Sequence, residues 1–370
     1  MKPETAAIHV ANARRDGAIA PPIHLSTTFE HGPANERIHA HQYVREANPC
    51  VDDLEARLAH LEGAAGAVAF ASGMAAATAM LQALPMGSRI LFHKDIYFDV
   101  TSLVRSVLSE RGLEFHFTDL ADRSSMDDAM ANRPSLVWFE TPSNPKLDII
   151  DIEAVVRAAH SNGAKVLVDS TFAPPLIQRP MDFGADIVLH SLTKYMGGHS
   201  DTQGGSVSIA HDEELRDKLL SLRRLTGAVL SPFNAWMVSR GVQTLPCRLA
   251  RHCENASAVA HALLRHPKVA RVRYPFLKNS EGVETAKRQM KAGGGMVSFD
   301  VKGGRDAALA VASRVKLFIN ATSLGGVESL IEHRASAEGP GTLCPDSLLR
   351  LSVGLEAASD LIDDLNQALQ

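Results

Sequence analysis

The sequence lacks the marks of nucleic-acid-binding, membrane and disulfide-bonded proteins. Its 370 residues carry a formal net charge of −4 and no long basic run, which argues against a nucleic-acid partner. No run of 18 residues is wholly apolar, so we expect no membrane span. Four scattered cysteines form no CxxC pair and predict neither a zinc site nor a disulfide framework. The first residues, MKPETAAIHVANARRDG, contain no apolar signal core, and a cytoplasmic location is therefore expected.

Apolar segments of strand length alternate with segments of helical spacing over the first 230 residues. Strands are predicted at 67–72, 89–93, 135–140, 165–170 and 186–191. Apolar strands separated by helices predict an α/β protein with a mostly parallel sheet that is covered on both faces. After about residue 231 the pattern changes to long amphipathic stretches, as in a smaller α+β domain.

Two of the predicted helices have clear end signals. The segment FDVTSLVRSVLSERG predicts a helix with Val107 on its apolar face and Gly112 as its C-cap. Asp151 is predicted to be the N-cap of a helix that closes at Gly163.

Polar residues follow four of the predicted strands. These residues belong to four short segments: Ser72-Gly73-Met74, the segment from Glu140 to Pro145, Asp169-Ser170-Thr171, and the segment from Ser191 to Lys194. Each taken alone is explained as a cap, a turn or a solvated side chain. Because ligands bind beyond the carboxyl ends of parallel strands, we expect them to meet at one edge of the sheet. Together they offer a helix N-terminus for an anion, a carboxylate, an amide, hydroxyls and a lysine.

These groups match the needs of pyridoxal 5′-phosphate (PLP). Its aldehyde requires an amine, its phosphate requires N–H groups and hydroxyls, and its ring nitrogen requires a carboxylate. Lys194 follows a buried strand, where an isolated ammonium group is unfavourable. A Schiff base with the cofactor removes that charge, so Lys194 is predicted to hold PLP.

The segment HSLTKYMGGHSD (190–201) resembles the lysine motif of the Cys/Met-metabolism (trans-sulfuration) family of PLP enzymes. This family includes cystathionine γ-synthase, the cystathionine lyases, methionine γ-lyase and O-acetylhomoserine sulfhydrylase. Further matching segments follow in the family's order along nearly the whole chain: PPIHLSTTF, YVREANP, ASGMAA, ETPSNP, DSTFAPP, SPFNAWMVSRGVQTL, SLGGVESLIEH and LLRLSVGLE. The resemblance implies the fold-type-I, aspartate-aminotransferase-like fold, with PLP as the cofactor.

The resemblance also implies roles for residues that match the family's motifs. Lys194 is implied as the Schiff-base lysine and proton carrier, Asp169 as the partner of the ring nitrogen, and Tyr97 as the residue stacked on the ring. The residues implied to bind the cofactor phosphate are Gly73, Met74, Ser191 and Thr193, with Tyr43 and Arg45 reaching it from the neighbouring subunit. Asn144 is implied to contact the cofactor and the substrate, and Arg350 and Ser323 the substrate α-carboxylate.

The same resemblance implies three parts of the chain and a symmetric assembly. The parts are an N-terminal arm (1–50) that contributes to the neighbouring subunit, a PLP-binding domain (51–230) and a C-terminal domain (231–370). The implied partners are a small amino-acid substrate and further copies of the chain, as a homodimer that pairs again into a homotetramer.

His39 and His41 are expected to be solvated arm residues rather than a metal pair, and no metal is predicted.

Four positions depart from the family's pattern. Cys50 stands where threonine is common, and Thr322 stands where enzymes that handle a distal amino group often have glutamate. Arg334 and Glu338 are unusual after the ESL segment, and we expect them near the entrance of the site. These departures weaken the case for cystathionine as the substrate.

The predicted activity is PLP-dependent β- or γ-elimination, or γ-replacement, on a sulfur-containing or O-activated amino acid. The choice among these reactions and the identity of the substrate stay open, because fold and motifs do not decide them. The alternatives are a γ-lyase acting on a non-sulfur amino acid, an aminotransferase of the same fold and a non-catalytic paralogue. A dinucleotide-dependent dehydrogenase is disfavoured, because no G-x-G-x-x-G follows an early strand.

Overall fold

The computed structural model describes residues 1–9, 17–109, 112–278 and 280–370. Within that part of the chain the strands form two sheets. The first sheet contains β1 (Gly66–Phe70), β2 (Arg89–His93), β3 (Glu114–Thr118), β4 (Leu136–Glu140), β5 (Lys165–Asp169), β6 (Ile187–Ser191) and β7 (Gly205–Ile209). The second sheet contains β8 (Val269–Arg273), β9 (Met296–Val301), β10 (Ile319–Asn320), β11 (Leu330–His333) and β12 (Leu348–Ser352).

Helices surround both sheets. In the described residues they are α1 (Pro3–Ile8), α2 (Pro49–Glu62), α3 (Gly73–Ala83), α4 (Phe98–Ser106), α5 (Arg123–Met130), α6 (Ile152–Ser161), α7 (Glu213–Thr226), α8 (Pro232–Gln243), α9 (Leu245–Leu264), α10 (Val283–Gln289), α11 (Gly304–Arg314), α12 (Arg334–Glu338) and α13 (Ala358–Ala368), with a 3-10 turn at Pro180–Phe183. No helix of the described residues is both long and apolar enough to cross a membrane.

The first sheet has the strand order β1-β7-β6-β5-β4-β2-β3. Strand β7 runs antiparallel to its two neighbours, and the other strand pairs are parallel. Apolar side chains on both faces are buried under helices, as expected for a parallel sheet. The predicted mostly parallel sheet is therefore present, and the second sheet, β10-β11-β12-β9-β8, lies wholly within the C-terminal part.

The predicted ends of two helices had different outcomes. Asp151 caps α6 by accepting a hydrogen bond from Ala154 N, and Gly163 has a positive φ of 77° just beyond the helix. The predicted C-cap at Gly112 is wrong, because α4 ends at Ser106 and Val107 is 58% exposed. Val107 N and Leu108 N both donate to the Leu103 carbonyl, so the chain turns out of the helix at this point.

The two sheets lie on opposite sides of the predicted boundary at residue 231. All strands of the first sheet fall within 51–230, and those of the second within 231–370. Helix α2 nevertheless packs against α8 across this boundary. The division into an arm and two domains stays a prediction.

An ion pair between the buried Arg223 and the largely buried Glu55 fixes the end of β1, from which the chain continues into α3. Arg223 donates from Nη1 to Glu55 Oε1 at 2.5 Å and to the Ala69 carbonyl at 3.0 Å, and from Nη2 to the Glu46 carbonyl at 3.0 Å. Glu55 Oε1 also accepts from Ala69 N at 2.8 Å. Helices α2 and α7 are thereby tied to the strand that leads to Ser72.

Arg223→Met is expected to lower the free energy of unfolding by about 3–5 kcal/mol, because it leaves the largely buried Glu55 carboxylate without its partner. The matched control is Arg224→Met on the same helix, where an exposed arginine lies 3.8 Å from Glu46. That change is expected to lower it by about 1 kcal/mol or less. Denaturant unfolding followed by circular dichroism measures both, and equal losses would contradict the structural role given to Arg223.

Candidate functional site

A pocket of about 350 Å³ lies between the carboxyl edge of the first sheet and the second sheet. Its lining contains residues from each predicted segment after β1, β4, β5 and β6, together with residues from the second sheet and its loops. The members of those segments outside the lining are Thr141, Ser143, Pro145, Ser170 and Leu192. The predicted site residues in this lining are Gly73, Met74, Tyr97, Asn144, Asp169, Ser191, Thr193, Lys194, Ser323 and Arg350. The structure therefore brings together residues that are far apart in the sequence, from Gly73 to Arg350.

One end of the pocket is formed by the N-terminus of α3. The Ser72 hydroxyl accepts from Ala75 N at 3.0 Å, and the Ser72 carbonyl accepts from Ala76 N at 3.1 Å. In the described part of the chain, the N–H groups of Gly73 and Met74 have no protein acceptor. The positive end of the helix dipole adds to this N–H pair, so the corner is suited to an anion.

The backbone comes very close to neighbouring strands at this corner. A Cβ atom added at Gly73 would lie 3.1 Å from the Ser191 Cβ, and one added at Gly205 would lie 2.2 Å from the Ser72 carbonyl oxygen. Glycine at both positions lets α3 begin directly against β6 and β7. The Ser191 and Thr193 side chains thus lie next to the helix N-terminus, on the wall of the same corner.

Lys194 lines the pocket. Its Nζ donates to Ser323 Oγ at 2.9 Å, and in the described residues no carboxylate lies within ion-pair distance of it. Burial and the neighbouring Arg350 charge lower the pKa of Lys194 to about 8. Ser323 has a positive φ of 92°, a strained conformation for a serine, and it places the hydroxyl against the amine.

Asp169 faces a second buried acid. The residues Glu140 and Asp169 are opposite each other on the paired strands β4 and β5. Burial raises the pKa of Asp169, partly offset by hydrogen bonds from Thr171, including one from its N–H at 3.0 Å to Asp169 Oδ1. Burial and repulsion from Asp169 raise the pKa of Glu140 well above its ordinary value. Such a pair is stabilised by a nearby cation.

Tyr97 is held at both ends. Its backbone N donates to Glu140 Oε1 at 2.5 Å, and its hydroxyl donates to Asp99 Oδ2 at 2.7 Å. Burial, followed by the Asp99 carboxylate, raises the pKa of the Tyr97 hydroxyl above its ordinary value. The Tyr97 ring is thus fixed in the pocket wall, and its hydroxyl keeps its proton.

Arg350 occupies the side of the pocket formed by the second sheet. Nη1 donates to Asn144 Oδ1 at 2.8 Å, and Nη2 donates to the Ser323 carbonyl at 3.1 Å and to Glu332 Oε2 at 2.6 Å. Burial, with a further contribution from Arg334, lowers the pKa of Arg350 to about 10, which leaves it charged at neutral pH. A guanidinium so placed can bind a carboxylate.

Arg334 also lines the pocket, and Glu338 pairs with it. Arg334 Nη1 lies 3.1 Å from Glu332 Oε2, and Nη2 lies 2.8 Å from Glu338 Oε1. Burial opposes the charge of Arg334, but the two carboxylates outweigh it and raise its pKa. The two unusual residues of the sequence therefore form one buried ion-pair cluster with Arg350.

Tyr43 and Arg45 are absent from the lining of this chain's pocket. Tyr43 is 40% exposed, and the Arg45 guanidinium lies 4.9 Å from the centre of its ring. The exposed pair is available to a neighbouring subunit, and its predicted role at a second pocket stays a prediction.

The expectation for His41 is wrong, because this residue is buried. Its Nε2 lies 2.6 Å from Asp52 Oδ2, and its ring packs against Phe29 with centroids 5.3 Å apart. His39 is exposed, as expected. Among the described residues, no group of histidine, cysteine and acidic side chains is placed to hold a metal ion.

Comparisons with known proteins agree with this geometry. The family model of the Cys/Met metabolism PLP-dependent enzymes matches residues 4–370. Cystathionine γ-synthase of Mycobacterium tuberculosis is 45% identical over 99% of this chain and 96% of its own length. L-methionine γ-lyase of Fusobacterium nucleatum subsp. polymorphum is 39% identical over 99% of this chain and 97% of its own. The crystal structure of cystathionine γ-synthase from Xanthomonas oryzae pv. oryzae in complex with cystathionine is 41% identical, with a TM-score of 0.95 and coverage of 100% and 98%.

The chain belongs to the Cys/Met-metabolism family of PLP-dependent enzymes. The predictions of the family, of the fold-type-I architecture and of PLP as the cofactor are confirmed. The prediction of an enzyme that catalyses elimination or replacement is confirmed for this class of reactions.

The pocket residues fit PLP. The two free N–H groups of α3 and the Ser191 and Thr193 hydroxyls can hold the phosphate. The partly deprotonated Lys194 amine can hold the aldehyde carbon. The Asp169–Glu140 pair has no cationic partner in the described residues, and a protonated ring nitrogen would supply one.

Three acids of the site had no predicted role. Glu140 and Asp99 hold Tyr97, and Glu332 links Arg334 to Arg350. Glu332 could have been found, because it interrupts the apolar segment SLIEH, and an acid inside a buried strand requires a cationic partner. Asp99, at the exposed start of α4, offers no such signal.

Proposed function

We propose that this chain uses PLP to eliminate or replace a side-chain leaving group on a sulfur-containing or O-activated amino acid. γ-Replacement that joins a thiol to an O-acylated homoserine is the first candidate. The observation that carries the proposal is one pocket lined by Lys194, by Asp169 from the end of β5 and by Arg350 from β12 of the second sheet. The relatives named cystathionine γ-synthase, at 45% identity, support the choice of γ-replacement.

When bound, PLP supplies an electron sink for carbanions at Cα. Arg350 binds the α-carboxylate of the substrate, and Asn144 orients the guanidinium through its 2.8 Å hydrogen bond. This contact fixes the position of Cα relative to the Lys194 amine.

Lys194 moves the protons. A pKa of about 8 leaves a usable fraction of the amine neutral near pH 7.5, so it can accept the Cα proton and return it at a neighbouring carbon. Ser323 holds the amine through a 2.9 Å hydrogen bond. Asp169 keeps the ring nitrogen protonated, because a buried carboxylate stabilises an adjacent cation.

A methionine γ-lyase-type elimination is the second candidate. Thr322 lines the pocket next to Ser323 and carries no charge, so it offers no partner for the distal amino group of a cystathionine-like substrate. The 39% identical L-methionine γ-lyase supports this alternative.

Assembly completes the proposed site. We infer that the chain forms a homodimer, which pairs again into a homotetramer in the cytoplasm. In each dimer the N-terminal arm (1–50) brings Tyr43 and Arg45 to the cofactor phosphate of the partner. That phosphate binds between the partner's PLP-binding domain (51–230) and its C-terminal domain (231–370). The exposure of both side chains supports this arrangement.

A substrate panel tests the reaction. Cystathionine, cysteine, homocysteine, methionine and O-acylated homoserines are incubated with holoenzyme, with and without added thiol. A thioether from an O-acylated homoserine and cysteine is the expected main product, whereas 2-oxobutyrate as main product would favour γ-elimination and pyruvate would favour β-elimination. Amino-group transfer to a keto acid, with no leaving group released, would replace the proposal by an aminotransferase.

Subunit mixing tests the shared site. Lys194→Ala and Arg45→Ala are each expected to be nearly inactive alone. After exchange of equal amounts, random pairing leaves about a quarter of the sites with both wild-type residues, so roughly a quarter of the wild-type activity should return. Mass spectrometry of intact assemblies verifies the exchange, and no recovery after proven exchange would rule out a contribution of Arg45 in trans.

A further inference from the structure

One carboxylate oxygen contacts both arginines of the pocket. Glu332 Oε2 lies 2.6 Å from Arg350 Nη2 and 3.1 Å from Arg334 Nη1. The cause of the first contact is the strand register, because Glu332 on β11 is directly opposite Arg350 on β12. The three side chains are at most 8% exposed, so little water screens their charges.

Arg350 is therefore already engaged by a carboxylate before any substrate binds. Both of its Nη groups donate within the protein, to Asn144, Ser323 and Glu332. An α-carboxylate that binds Arg350 competes with Glu332 for the same guanidinium. The outcome depends on how much of the Glu332 charge is neutralised by another cation.

Arg334 is that other cation. It is the first residue of α12, and Glu338 on the next turn holds its Nη2 at 2.8 Å. The four charges of Arg334, Arg350, Glu332 and Glu338 cancel to zero. Without Arg334 their sum would be −1, in a pocket that has to accept an anionic carboxylate, and Glu332 would have only Arg350 as its partner.

We propose that Arg334 is a positioning residue that holds Glu332, leaves Arg350 able to bind the substrate α-carboxylate, and so sets substrate affinity. The inference rests on the proposed role of Arg350. It gives a function to a residue pair that departs from the family's sequence pattern. It concerns every α-amino acid that the enzyme accepts, since the α-carboxylate is common to all of them.

The test measures the affinity of the holoenzyme for glycine, which has the α-carboxylate but no leaving group. Arg334→Met is expected to raise the Kd of glycine by calorimetry, and the KM of the substrate found in the panel, roughly tenfold or more. At saturation kcat should change little. Adding Glu332→Gln to Arg334→Met removes the competing charge and should restore much of the lost affinity.

A matched control separates this role from simple support of α12. Arg305→Met removes an exposed arginine that donates to Ser336 Oγ of the same helix at 2.9 Å, outside the pocket. It should leave the Kd of glycine unchanged. An unchanged Kd in Arg334→Met, or a double variant as weak as the single one, would overturn the proposal.

A second variant covers the case in which Arg334→Met does not fold. Glu338→Gln leaves Arg334 wholly available to Glu332 and makes the cluster more positive, so the Kd of glycine should fall. A Kd equal to or above that of the wild type would overturn the proposal. If no amino acid binds the wild-type holoenzyme at all, the proposed function fails too. If glycine binds but its Kd does not depend on Arg334, only this inference is overturned.

Discussion

The site depends on keeping acidic groups away from one buried amine. A carboxylate beside Lys194 would stabilise its ammonium form and raise its pKa, and the amine would then be a poor nucleophile and base near neutral pH. The acids of the pocket are engaged elsewhere. Asp169 and Glu140 face each other across β4 and β5, and Glu332 lies between two arginines. Lys194 is left with a serine hydroxyl and a pKa of about 8.

The fold produces this separation by simple means. Parallel strands end at a common edge, so the groups that follow β1, β4, β5 and β6 meet there. They include the N-terminus of α3 and Lys194. The second sheet contributes paired acids and arginines, because β11 and β12 align Glu332 with Arg350. The pocket therefore combines an anion-binding corner at α3, the Lys194 amine and an ion-pair cluster from the second sheet.

Much of this arrangement was predictable, and the failures have physical causes. The residues around Lys194 were found because polar groups directly after buried strands are visible in the sequence, and the family motifs extended the set to Tyr97 and Arg350. The Glu332–Arg350 contact depends on the register of two distant strands, which spacing alone does not give. The burial of His41 was not predictable from the sequence either, because it comes from tertiary contacts with Phe29 and Asp52.

The most direct test of this account is the titration of Lys194 in the cofactor-free protein. Trace acetylation at a series of pH values, with the modified Lys194 peptide quantified by mass spectrometry, gives the pKa of the amine, and the exposed Lys218 on α7 serves as an internal reference. The account predicts a midpoint near pH 8. A midpoint at the ordinary lysine value of about 10.4 would show that the pocket does not hold the amine in its reactive form, and would contradict the account.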